Sequence, residues 1–214
     1  MNHLNSRTIE FSVDDHILEG VLTHSNKQLK TGIVILHPHP LFGGNMENYV
    51  VRMLEDVFLE EGFSTLRFNF RDASQGFSGL SGAVSDALEA IKFMKSHTEI
   101  RSVGVVGYSF GASAGLRLAL KTSPPFLISL SASKNLLLED NFDIAELSKI
   151  TCPTLMFHGL ADRMIPPDDL AILSEAIGAV SKISVLLEGE GHFYQRATSR
   201  VVSEIQTFIR NLSL

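Results

Sequence analysis

The chain has no tryptophan and one cysteine, Cys152, in 214 residues. A lone thiol closes no internal disulfide, so the fold must rest on its core, and the composition suits a reducing compartment; a cytoplasmic location is the expectation. Cys152 stands just before Pro153 at the head of an apolar run and reads as packing rather than as a reactive thiol. Long hydrophobic runs are missing too, since no stretch approaches the ~20 apolar residues of a membrane helix. The opening MNHLNSRTIEFSVDD lacks the apolar segment of a signal peptide, so neither membrane insertion nor export is expected. Basic clusters are also absent: with a net charge of -6 and scattered Lys and Arg, the chain shows no footprint for nucleic acid. Repeats, low-complexity tracts and linkers are lacking, and residues 1–214 read as one domain with room for a full core.

What is present is alternation. Thr8 to Val13 and Ile17 to Thr23, split by Asp14-Asp15, predict an opening hairpin. From there on, strand-like runs (Gly32 to Leu36, Phe63 to Phe70, Val103 to Val106, Phe126 to Leu130, Pro153 to Phe157, Ile183 to Leu187) alternate with helical spacings. The first of those spacings is Val50, Met53, Leu54, Val57, Phe58, closed by Gly62; others run from Val84 to Met94, Leu170 to Ile177 and Val201 to Leu212. Arg71 to Gly82 reads as a loop, and Ser131 to Ile150 as irregular with partial helix. This is an α/β pattern: a mostly parallel sheet flanked by helices on both faces, with chemistry at the carboxyl ends of the strands.

The most informative stretch is VGVVGYSFGASAGLRLAL, Val103 to Leu120. Gly107-Tyr108-Ser109-Phe110-Gly111 falls between a buried strand and a helix, a G-x-S-x-G in the context where a serine is lifted on a strained turn above the sheet edge. A glycine-rich turn with an incidental serine is the plainer reading of the bare pattern; the strand before and helix after it favour a nucleophile. A serine hydroxyl is a weak nucleophile until a base takes its proton and a further group orients the base. Asp162, in HGLAD after Pro153 to Phe157, and His192, in EGEGH after Ile183 to Leu187, lie at strand ends on the expected edge. The chain order Ser109, Asp162, His192 is the serine, acid, histidine order known on this type of sheet. Asp162 as a mere helix cap is the competing reading, although Asp168 and Asp169 are better placed to cap the next helix. Glu188 and Glu190 are alternative acids, but they share the histidine's own loop.

An oxyanion hole requires backbone N–H groups from the residue after the nucleophile, Phe110, and from the loop after Gly32 to Leu36. In that loop, HPHPLFGG, Pro38 and Pro40 have no N–H; Leu41 is the expected donor, with His39 or Phe42 as substitutes. A metal site from His37, His39, His158 and Asp162 is the competing use of these histidines, but no helical H-x-x-x-H or H-E-x-x-H spacing supports it. The reading assigns no metal and no cofactor.

Together, HPHPLFGGNMEN (His37 to Asn48), LRFNFRDASQGFSG (Leu66 to Gly79), GYSFG, PTLMFHGLAD and GEGHFY (Gly189 to Tyr194) resemble the small bacterial alpha/beta hydrolases related to dienelactone hydrolases. The resemblance spans nearly the whole chain, and HPHPLFGG is its most specific part. It implies an eight-stranded hydrolase sheet whose second strand is antiparallel, with little or no cap, and a triad on Ser109, Asp162 and His192. At the elbow, where dienelactone hydrolases typically carry cysteine, stands Ser109, and Arg71-Asp72-Ala73 replaces the usual Arg-Gly. The expectation is a serine hydrolase of small-molecule esters or thioesters, with no nucleic-acid partner; a homodimer is compatible with it. A hydrolase-shaped binding protein without turnover is the alternative, and a metal-dependent hydrolase a third.

Overall fold

The computed structural model describes residues 5–27 and 29–212; residues 1–4, 28 and 213–214 lie outside the described residues. Among the described residues eight strands form one sheet: β1 (Asn5–Val13), β2 (His16–His24), β3 (Thr31–Leu36), β4 (Ser64–Phe68), β5 (Ser102–Tyr108), β6 (Leu127–Leu130), β7 (Thr154–Gly159) and β8 (Lys182–Leu187). Their spatial order is β1-β2-β4-β3-β5-β6-β7-β8. β2 is antiparallel to both neighbours, and every other pairing, from β4 to β8, is parallel.

The central strands explain their own sequences. Every residue of β3 is buried. Ile33 and Ile35 enter one core and Val34 and Leu36 the other, as the two-residue period of a strand requires when both faces are covered. The helices are α1 (Tyr49–Glu61), α2 (Gly79–His97), α3 (Phe110–Thr122), α4 (Lys134–Leu138), α5 (Asp168–Ala176) and α6 (Thr198–Arg210). α1 and α6 bury Phe58 and Phe208 on one face of the sheet; α2, α3 and α5 bury Ala87, Leu116 and Leu173 on the other. Asn48 caps α1 by accepting the Val50 N–H at 2.9 Å, and Gly62 ends it at a φ of 97° that favours glycine.

Some boundaries differ from the sequence expectation. α2 starts at Gly79, inside the stretch Arg71 to Gly82 that reads as loop, because the fully buried Leu80 draws a glycine- and serine-rich first turn into the core. β4 ends at Phe68, because the Phe70 N–H turns to donate to the buried His37 Nε2 at 2.9 Å. At α5 Pro167 takes the cap position, and Asp169 instead accepts the Lys134 N–H at 2.8 Å, tying α5 to α4. Ser131 to Ile150 holds α4 and two short 3-10 turns, Glu139–Asn141 and Ile144–Lys149, anchored by the buried Leu137 and Leu147. No helix among the described residues is long and apolar enough to cross a membrane.

Candidate active site

The carboxyl ends of β3, β5, β6, β7 and β8 converge on Ser109. This residue has φ 56° and ψ -119°, a conformation that costs a non-glycine residue of order 1 kcal/mol or more. The flanking glycines make the turn feasible. A Cβ on Gly107 would lie 2.3 Å from the Gly111 carbonyl oxygen, and one on Gly111 would lie 2.3 Å from that of Leu36. Ser109 precedes α3 without capping it by its side chain, so its hydroxyl is left for another partner.

That partner is His192. Its Nε2 lies 3.0 Å from Ser109 Oγ and its Nδ1 2.7 Å from Asp162 Oδ2. The carboxylate requires Nδ1 to carry the ring proton, which leaves Nε2 as an acceptor for the hydroxyl hydrogen. All three residues are buried. Burial by itself would raise the Asp162 carboxyl, but hydrogen bonds from His158, His192 and the Ile165 N–H override it and hold it well below the usual carboxylate range. Asp162 Oδ1 also accepts the Met164 N–H at 2.8 Å, so the residue closes a tight turn and caps no helix. Glu190 points elsewhere: it accepts the Gly191 and Arg196 N–H groups at 2.9 and 2.8 Å and fastens the histidine loop to the start of α6, while Glu188 is exposed.

The loop after β3 is fixed at its foot by His37. Nδ1 donates to the Pro38 carbonyl at 2.5 Å while Nε2 accepts from Phe70, and burial pushes the imidazole down to about 4. With both ring nitrogens engaged, His37 has none left for a metal, and among the described residues no group of His, Cys, Asp or Glu is placed to hold one. The ring of His39 packs 4.6 Å from that of Phe110, joining this loop to the elbow. Leu41 departs from expectation. Its N–H donates to His39 Nδ1 at 3.3 Å, it is 47% exposed, and it does not line the cleft over Ser109. The Phe42 N–H is likewise engaged, by the His39 carbonyl at 3.1 Å. Phe110 opens α3, where the helix itself cannot use the N–H.

Several residues around these had no signal as a motif. Ser131, at the end of β6 with φ 51°, donates to Asp162 Oδ2 at 3.3 Å and stands 2.8 Å from the Tyr194 hydroxyl. Tyr194, itself at φ 53°, reaches the Phe157 carbonyl at 3.3 Å. The Tyr108 hydroxyl donates to the His192 carbonyl at 2.9 Å. Burial holds both phenols well above their ordinary range, so they remain protonated donors. His158 Nε2 lies 3.4 Å from Asp162 Oδ2 and 3.2 Å from the Ile165 carbonyl. Tyr194 falls inside GEGHFY, and proximity to that motif is its only trace in the sequence; His158, inside HGLAD, is weighed there as a metal ligand and stands in the structure beside the Asp162 carboxylate instead.

Solved structures share this fold. A protein of unknown function from Agrobacterium tumefaciens, described as a candidate alpha/beta hydrolase, is 31% identical with a TM-score of 0.82, each chain covered to 95%. An alpha-beta serine hydrolase homologue from Coxiella burnetii is 27% identical over 97% of each chain, with a TM-score of 0.81. A Xanthomonas campestris structure described as an a/b serine hydrolase without lid has a TM-score of 0.83 at 23% identity, over 98% of this chain and 96% of that one, and supports the fold alone. The sequence model of the dienelactone hydrolase family matches residues 18–200, which take in the elbow, the Asp162 turn and the His192 loop. A match of that extent, on a sheet ordered in this way, means that the chain is a hydrolase of the alpha/beta fold and belongs to the dienelactone hydrolase family.

Proposed function

We propose that the protein is a serine hydrolase that cleaves a carboxylic ester, or a thioester, of a small substrate through an acyl-enzyme. The observation that carries this reading is the continuous run of hydrogen bonds from Ser109 through His192 to Asp162, at 3.0 and 2.7 Å, beneath an open cleft. Ser109 Oγ attacks the acyl carbon while its proton passes to His192 Nε2, and the carbonyl oxygen becomes an oxyanion. Asp162 steadies the imidazolium. The oxyanion is held by the N–H of Phe110 and one N–H of the β3 loop. His39 fits that second role better than Leu41 or Phe42, whose N–H groups are bonded within the loop. Collapse breaks the bond to the alcohol or thiol, which leaves with the proton from Nε2. Water then attacks the acyl-enzyme, gives a proton to Nε2, and releases the acid as Ser109 recovers its hydrogen.

A fluorophosphonate probe tests the reading. It should label Ser109 at neutral pH and leave Ser109→Ala unlabelled. Folded wild-type protein that takes no label and turns over no p-nitrophenyl ester would instead be a binding protein in a hydrolase fold.

A further inference from the structure

The cleft over Ser109, with a volume of about 380 Å³, has a one-sided chemistry. Glu139, just past α4, is the charged carboxylate in its lining, and no Lys or Arg lines it among the described residues. His39 brings no dependable positive charge, because burial lowers its imidazole. The buried arginines of the molecule are committed elsewhere, Arg67 to Glu55 at 2.8 Å and Arg71 to Asp86 at 2.6 Å. Of the remaining walls, Asn48, Ser133 and Asn135 are polar but uncharged, Leu136 and Ile165 are apolar, and Phe42, Met164 and Phe193 stand at the mouth, 84%, 63% and 57% exposed.

A carboxylate on the substrate entering this cleft would leave water for walls that offer neutral polar groups and apolar surface, meet no Lys or Arg, and lie near a like charge. A neutral chain meets none of these costs, and it covers apolar surface now exposed to solvent. A cationic group would face Glu139 and aromatic rings, both of which favour it.

Building on the acyl-transfer reading above, we infer that the cleft selects esters without negative charge and discriminates against those carrying a carboxylate, with Glu139 as a specificity residue that sharpens the discrimination. The test uses three p-nitrophenyl esters of matched chain length: hexanoate, hydrogen adipate and 6-(trimethylammonio)hexanoate. The expected kcat/KM for the adipate is about tenfold or more below that for hexanoate, with the trimethylammonio ester well above the adipate. The adipate-to-hexanoate ratio should rise about threefold in Glu139→Gln and further in Glu139→Lys. Adipate turned over as fast as hexanoate overturns the inference, and so does a ratio unmoved in both variants. In either case continued hydrolysis of hexanoate leaves the acyl-transfer reading standing. Failure of all three esters, with Ser109 unlabelled by fluorophosphonate, removes both.

Discussion

The rim formed by the loops after β6, β7 and β8 and the rim formed by the loop after β3 both carry exposed apolar side chains at the cleft mouth, Met164 and Phe193 on one and Phe42 on the other, but they differ in what lies beneath. On the first, Asp162 is buried and accepts hydrogen bonds from His192, Ser131, Met164 and Ile165, and Tyr108 and Tyr194 brace the backbone around it. On the second, Phe42 is 84% exposed, and the loop is shaped by two prolines and by turn bonds to its own His39 carbonyl, such as that from Gly44 at 3.0 Å. In the proposed mechanism the difference follows from what each side handles. A proton relay needs a fixed tautomer and a dry carboxylate, since water would compete for every bond in it. A surface that admits substrate must keep apolar atoms uncovered, and this loop is tied to the core by its buried foot at His37 and by the His39 ring against Phe110.

The largest expected effect lies on the dry side. In Asp162→Asn the amide would drive the proton off His192 Nδ1 onto Nε2, where it opposes the Ser109 hydroxyl. kcat for a p-nitrophenyl ester should fall by about 10³- to 10⁴-fold with the fold intact by circular dichroism. A loss below tenfold would mean that the two rims do not divide the labour in this way.

An intermediate effect concerns the foot of the open loop. Burial lowers His37 from 6.5 to about 4, so between those values the unfolded chain binds more protons than the folded one. Stability that is fully present above the upper value is therefore lost as the pH drops toward the lower one, by roughly 2 to 3 kcal/mol near pH 4.5. Urea midpoints from pH 7 to 4.5 should decline less steeply in His37→Gln than in the wild type. Parallel curves would show that this histidine is not what couples the loop to the core. The smallest effect is expected at the exposed tip, where Phe42→Ala should change stability by no more than about 0.5 kcal/mol. The same variant should raise KM for p-nitrophenyl hexanoate by about threefold to tenfold, as apolar contact with the chain is lost. A destabilisation of the size seen for core truncations would place Phe42 with the packed elements instead.

Legibility in the sequence follows the same division between local and distant causes. β3 and the elbow can be read directly, because a strand buried on both faces needs an uninterrupted apolar run and a strained serine needs small neighbours within two residues. The first turn of α2 could not be read. Its glycines and serine argue for a loop, and only the pocket that receives Leu80 makes it helical. Elimination of the prolines points to Leu41 as the oxyanion donor, yet the direction of its N–H depends on how the 3-10 turn at Pro40–Phe42 winds toward the His39 ring.

From sequence alone came the α/β alternation, the parallel sheet with its opening hairpin, and the choice of Ser109, Asp162 and His192 as the residues worth bringing together. Each of these depends on residue type and spacing within short windows and on the order in which those windows follow one another along the chain. Only the tertiary structure decided the company those residues keep. Ser131 lies 31 residues from Asp162 and 63 from Tyr194. Such contacts are made by adjacent strands delivering distant segments to one edge, and no local pattern along the chain encodes which side chains will meet there.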